Sequence, residues 1–325
     1  MKVYCKVSDG KIWNAEEFII GAVKSIQTEN SLTVDFRREG PCCMSLGLDN
    51  LLDQIVNLTG VNPANINIET GNYLSSSGYN QTIRQTFDII KQTVTPCVVP
   101  QLQTFDRRFG IFIGRSNWIR LGLASYIWNH YRDQSLITFH YDYTKDFHIA
   151  NFGLESFLSR HREDSELVFK FIKCLPLTLG DELSYPITIH SHNSSWNLLE
   201  LYKHFFCEVV CETFFTGQTF YMTEKIFRPI IAKRPFLLQG PTNFLKNLRS
   251  LGFQTFSNWW DEGYDESPAD ARYQTFKFAL DYIAEQSNAT LDAWYNEMQP
   301  VLEHNYQVLQ TLNNKKIFSV FSNAQ

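Results

Sequence analysis

Residues 207–240 read CEVVCETFFTGQTFYMTEKIFRPIIAKRPFLLQG, and this stretch decides the fold. It opens on a short apolar run over 208–211, passes through an aromatic, glycine-bearing loop over 214–222 and enters a helical pattern at Thr223. A second apolar run over 236–238 stops at Gly240-Pro241. Strand, loop, helix, strand is the unit of a parallel α/β sheet, because parallel neighbours need a crossover between them. Thr223 is suited to cap that helix, with Glu224 and Lys225 in a first turn whose backbone N–H groups have no partners inside the helix. Ligands of such sheets sit beyond the carboxyl ends of strands, facing helix N-termini, so this turn directs polar groups at a ligand position.

Upstream the same pattern recurs. Residues 109–115, FGIFIGR, form an apolar strand ending in Gly-Arg, and a helix follows with Asn117 or Ser116 as cap and Trp118, Leu121, Ala124 and Ile127 on its buried stripe. Residues 135–141 make the next strand. Arg115, at a strand end, and Arg120, in the first turns of the helix, are both candidates to reach an anionic ligand. Downstream, 187–190 is expected as a strand and 196–206 as a helix leading into the motif. After it come a helix over 244–251, a strand over 254–256, and long helices over 268–284 and 291–312. His190 and His192 share one strand face, but no third ligand lies near them in sequence, so no metal site is assigned.

The N-terminal part supplies a second α/β unit: strands over 2–7, 32–36 and 66–69, and helices over 15–26, 46–58 and 82–92. Pro96 and Pro100 break the pattern. The expected organisation is therefore an acceptor-side domain over 1–96, a linker over 97–108, a nucleotide-sugar-binding domain over 109–285 and a helical segment over 286–325. The two Rossmann-like domains would face a cleft, with the C-terminal helices packing back across the junction.

With 44% hydrophobic and 15% aromatic residues, the 325-residue chain has ample material for packed cores. A net charge of −5 excludes a strong overall field for nucleic acid, though not a local basic groove. The seven cysteines are scattered, without zinc spacing, and read as buried free thiols of a reducing compartment. The first residues read as a strand rather than a signal peptide, and no apolar run approaches membrane-span length, so a cytoplasmic location without membrane partners is expected.

The motif concentrates Glu212, Tyr221, Thr223, Glu224, Lys225 and Arg228 at the end of one strand and the start of the next helix. A carboxylate beside a helix N-terminus can accept both hydroxyls of a ribose, while Lys225, Arg228, Arg115 or Arg120 compensate phosphate charge. If a diphosphate leaves as a glycosidic bond breaks, that compensation grows along the reaction and is catalytic.

The pattern Cys211-Glu212-Thr213, a short loop, then Tyr221-Met222-Thr223-Glu224-Lys225 resembles the Glu-Asn-Ser and Tyr-Val-Thr-Glu-Lys signature of the α-1,3-fucosyltransferase family. Ser116-Asn117 followed by Arg120 is similar to its upstream arginine motif, and the Thr-Glu-Lys-x-x-Arg-Pro run with Lys-Arg-Pro-Phe also resembles glycosyltransferases of large DNA viruses and phages. The likeness covers about 109–260, and Thr213 stands where that family has Asn or Ser. It implies the two-domain GT-B architecture, a GDP- or UDP-sugar donor as substrate with no separate cofactor and no metal, and inverting transfer to a saccharide acceptor.

Inversion requires a base on the acceptor side. Glu39, before Gly40-Pro41, is the first candidate, with Glu69 and Asp9 as alternatives. Two other readings stay open: transfer to a hydroxymethylated base of phage or viral DNA, and a nucleotide-binding α/β protein that transfers nothing. No Asp-x-Asp occurs, which argues against a metal-bridged nucleotide-sugar site, and neither G-x-G-x-x-G nor a P-loop stands at a strand–helix junction.

Overall fold

The computed structural model describes residues 2–8, 10–36, 39–92, 105–140, 147–179 and 200–322, and over them the chain is mixed α/β with two four-stranded parallel sheets. The first part runs β1 (Lys2–Tyr4), β2 (Val7–Ser8), β3 (Lys11–Ile12), α1 (Ala15–Glu29), β4 (Leu32–Asp35), α2 (Leu48–Thr59), β5 (Ile66–Thr70), β6 (Asn80–Ile83) and α3 (Phe87–Gln92). The second runs β7 (Arg107–Ile113), α4 (Trp118–Tyr131), β8 (Ser135–Phe139), α5 (Phe147–Leu158), α6 (Ser165–Ile172), β9 (Phe205–Cys211), α7 (Glu224–Ile231), β10 (Phe236–Gln239), α8 (Phe244–Ser250), α9 (Ala269–Ala284), α10 (Asn288–Thr311) and α11 (Asn314–Ser322).

The first sheet keeps chain order, β1-β4-β5-β6. The second has the order β10-β9-β7-β8, so the chain leaves β7 to one side for β8 and returns to its other side for β9. The register pairs Phe109 with both Ser135 and Cys207, and Gln239 with Cys211. A reversal of this kind opens a crevice beyond the carboxyl ends of β7 and β9, the place where open parallel sheets take their ligands.

Each sheet carries its own core. Phe18, Val34, Leu52, Ile66 and Ile68 are fully buried around the first, and Ile111, Val209, Leu237, Leu245 and Phe276 around the second. Strands β8, β9 and β10 are buried along their whole length, which is why they read as mostly apolar rather than alternating. Each such Leu or Phe contributes about 1.5–3 kcal/mol of transfer free energy.

The C-terminal helices return to the first part. Asn314 accepts from the Tyr73 hydroxyl at 2.8 Å and the Phe87 N–H at 2.9 Å, and donates to Asp88 at 2.8 Å. Lys91 Nζ donates to the carbonyls of Gln310 and Leu312 at 2.8 and 3.0 Å, covering the end of α10. Tyr73 and Phe87 accordingly belong to the core of the second sheet, although their segment follows the first.

Three expected elements differ. Residues 82–92 are not one helix: Asn80–Ile83 pairs with β5 as an edge strand and the helix begins at Phe87. No strand forms over 254–256, and Asn305 takes the place of a strand neighbour, bonding Gln254 N and O at 2.8 Å each. The helix expected over 196–206 reduces, where described, to a 3-10 turn at Glu200–Lys203, and β9 already starts at Phe205. The expected strand over 187–190, with His190 and His192, and the break at Pro96 and Pro100 lie outside the described residues.

Candidate active site

Strand β9 delivers Glu212 to the mouth of the crevice, where its buried carboxylate organises the next turn of chain. It accepts from Thr223 Oγ1 at 2.6 Å and from the N–H groups of Thr223 and Thr213 at 3.3 Å each. The Thr223 hydroxyl in turn accepts from Lys225 N at 3.3 Å and caps α7 from an extended backbone conformation. Burial pushes the Glu212 carboxyl up, against the lowering influence of Lys225.

Lys225 Nζ lies 2.9 Å from Glu224 Oε1, 3.2 Å from Thr223 Oγ1 and 3.3 Å from Thr213 Oγ1. Glu224, the first residue of α7, is half-buried. Burial alone would raise its carboxyl, but the Lys225 charge and hydrogen bond, with Arg228 behind, hold it down to about 2. The site therefore carries an ionised carboxylate and an ammonium side by side at a helix N-terminus. Arg115, two residues past the end of β7, is exposed.

The first sheet contributes Glu39. Its backbone is fixed, N–H to Phe36 O at 3.0 Å and carbonyl to Gly71 N–H at 2.7 Å, and its carboxyl is raised by burial while Arg115 and Lys225 act to lower it. Three residues from separate segments thus sit within electrostatic reach of one another. Tyr221 closes the group: burial, then the charges of Glu39, Glu224 and Glu212, push its hydroxyl pKa up. Gly40 permits this approach, since a Cβ there would lie 2.9 Å from Tyr221 Cβ and 2.7 Å from the Asn72 N–H.

Other expected ligands have different occupations. Arg120 is buried, and its guanidinium donates to the carbonyls of Arg115, Cys211 and Glu212 at 3.1, 2.9 and 2.7 Å, tying the ends of β7 and β9 together. It positions the site rather than presenting itself to an anion. Arg228 is buried against Glu208 in the middle of β9 at 2.8 Å, and the Tyr202 hydroxyl completes that pair, so its charge is neutralised inside the sheet layer. Glu212 and Thr223 are engaged with each other as described, whereas Glu224 is half-buried and bonded to Lys225. Of the alternative bases, Glu69 is paired with Lys2 at 2.6 Å and with Arg84, and Asp9 lies outside the described residues.

Two residues that sequence reading passed over shape the site. Asn72 is buried and reaches across from the first sheet, donating to Gln218 O at 2.9 Å and accepting from Phe220 N at 2.8 Å; the Tyr73 N–H adds a bond to Phe220 O at 3.1 Å. Beside it Gly217, at φ 67°, packs so close to Cys42 and Ser45 that no side chain fits. Arg272, 1% exposed, gathers the carbonyls of Phe215, Gly240, Tyr264 and Ser267 and so holds the loop after β9 against the end of β10. Asn72 carried a signal in its Thr-Gly-Asn turn after a strand; Arg272, inside a helical pattern, carried none.

No family model, curated protein or solved structure matches the chain. Among the described residues, no group of three or more His, Cys, Asp or Glu is placed to hold a metal, and no helix is long and apolar enough to cross a membrane.

Proposed function

We propose that the chain is a glycosyltransferase that moves a sugar from a GDP- or UDP-linked donor to a saccharide hydroxyl with inversion, in the two-lobed GT-B arrangement and without a metal ion. The observation that carries this reading is the meeting, at the reversal point of the second sheet, of Arg115 and the Glu224-Lys225 pair with a carboxylate, Glu39, supplied by the first sheet.

In this reading Arg115, Lys225 and the N–H groups of α7 receive the diphosphate, and the ionised Glu224 accepts the ribose hydroxyls. The acceptor oxygen attacks the anomeric carbon and gives its proton to Glu39. The bond from that carbon to the diphosphate oxygen breaks, and the negative charge that collects there is met by the two cations and the helix N-terminus. Burial of Glu39 favours its base role, because a carboxylate withdrawn from water holds a proton more readily.

A thermal-shift panel of GDP, UDP and TDP tests the binding half: at about a hundredfold excess over Kd, stabilisation of about 2.7 kcal/mol is expected, abolished in Glu224→Ala. Transfer of radiolabel from the responding nucleotide sugar, with saccharide and hydroxymethylated DNA acceptors in parallel, tests the other half. Indifference to all three nucleotides refutes the reading, and transfer to DNA alone refutes its acceptor.

A further inference from the structure

Beyond the crevice, the turn over 257–264 and one face of α9 enclose a groove of about 670 Å³ that the proposed reaction does not use. Its walls are aromatic: Trp259 and Trp260 from the turn, and Phe278 and Tyr282 from the helix. Phe278 is 72% exposed and Tyr282 47% exposed, so these rings present faces to water instead of filling the core. Tyr282 also stacks on Trp294 with ring centroids 5.9 Å apart, which extends the flat surface onto α10.

The polar groups of the groove decide its occupant. Ser257, Asn258, Asp261 and Thr275 line it. The lining contains a carboxylate and no lysine or arginine, so nothing there neutralises a phosphate. A purely apolar occupant would strip water from the hydroxyl, amide and carboxylate groups without replacing their hydrogen bonds. A pyranose ring meets both demands, with C–H faces that lie on aromatic rings and hydroxyls that bond the polar rim.

We infer that this groove is a second saccharide subsite, binding a sugar unit of a neutral oligosaccharide at a distance from the reacting hydroxyl. The inference rests on the transferase reading for its substrate class. The groove is coupled to the candidate site by Arg272, which bonds Tyr264 O at 3.1 Å on the groove side and Phe215 O at 3.2 Å on the loop after β9. A long acceptor held at both places would be presented to the reaction centre in one direction.

The test is saturation-transfer NMR of the full chain with chitohexaose, maltohexaose, cellohexaose and xylohexaose. Binding of at least one with Kd in the range of about 1 mM or tighter is expected, and the loss of one stacked ring should weaken it by about tenfold in Phe278→Ala and in Tyr282→Ala. Both positions are exposed, so folding is retained. Phe169→Ala, an exposed ring on α6 outside the groove, should leave binding unchanged. No signal from any hexasaccharide, or binding that survives both groove substitutions, overturns the inference. So does a concentration-dependent dimer in sedimentation that Phe278→Ala dissolves, since the face then belongs to a second copy of the chain. The GDP and UDP thermal shift keeps the two readings apart: nucleotide response without hexasaccharide binding sinks the groove alone, and Phe278-dependent hexasaccharide binding without nucleotide response sinks the transferase.

Discussion

Replacing Arg228 by methionine separates a buried structural cation from a ligand for phosphate. In the folded chain the guanidinium lies 2.8 Å from a Glu208 carboxylate that has no exposure at all, in the centre of β9, with the Tyr202 hydroxyl as its other partner. Removing the cation leaves that carboxylate buried and uncompensated, a loss of about 3–5 kcal/mol for pairs of this kind. At about 2–4 °C per kcal/mol for a cooperative unit of ordinary size, Arg228→Met should melt about 6–20 °C below the parent. The sign of its pH dependence follows from Glu208, whose carboxyl burial already raises. Without Arg228 it rises further, so the stability it contributes is present only at low pH and is lost as pH rises through the raised value. The deficit should therefore shrink as pH is lowered toward the usual carboxylate value of 4.5. Glu208→Gln/Arg228→Met, which removes both charges, should recover most of the loss. Differential scanning fluorimetry across that pH range reads all three, with a GDP and UDP arm. An Arg228→Met protein that melts with the parent but no longer responds to nucleotide would refute this account and return Arg228 to the ligand site.

Glu39→Gln should lower the rate of sugar transfer by about 10²–10⁴-fold while leaving the nucleotide thermal shift intact, and wild-type kcat should rise with pH through the raised Glu39 value; full activity in the variant excludes it as the base. Glu224, held down to about 2 from a usual 4.5, contributes stability that is present above pH 4.5 and lost as pH falls toward 2; tryptophan fluorescence in acid should show this component missing in Glu224→Gln. Arg115→Ala should change stability by no more than about 0.5 kcal/mol yet abolish the nucleotide response. Arg120→Ala should instead destabilise, by about 1–3 kcal/mol for each carbonyl left unpaired, as urea titration measures.

The strand–helix–strand units were legible because fully buried parallel strands are predominantly apolar, and because Asn117 and Thr223 sit where helix caps must. Asn117 accepts from Arg120 N at 2.9 Å, as its position before Trp118 implies. Edge elements were not legible. Asn80–Ile83 is polar and half-exposed along its length, and only pairing with β5 makes it a strand. Phe253 and Phe256 gave residues 254–256 the look of a strand, but the backbone partner there is a side chain fifty-one positions away. The charged residues divided for a similar reason. Arg115, Arg120 and Arg228 all read as cations near strand ends, and only the fold reveals that two of them face inward, toward carbonyls and toward Glu208. That Glu39 lies opposite Arg115 and Lys225 depends on how the two sheets meet, which no local pattern encodes.

The crossing of Asn72 with the loop that carries Gly217 and Phe220 bears on how this molecule can move. Two amide bonds from one side chain, a main-chain bond beside them and a glycine wedged on Cys42 make a seam between the segment after β5 and the loop after β9, and seams resist rotation. Any rotation of the first sheet against the second would have to break the main-chain bond from Tyr73 to Phe220 together with both bonds of the Asn72 amide.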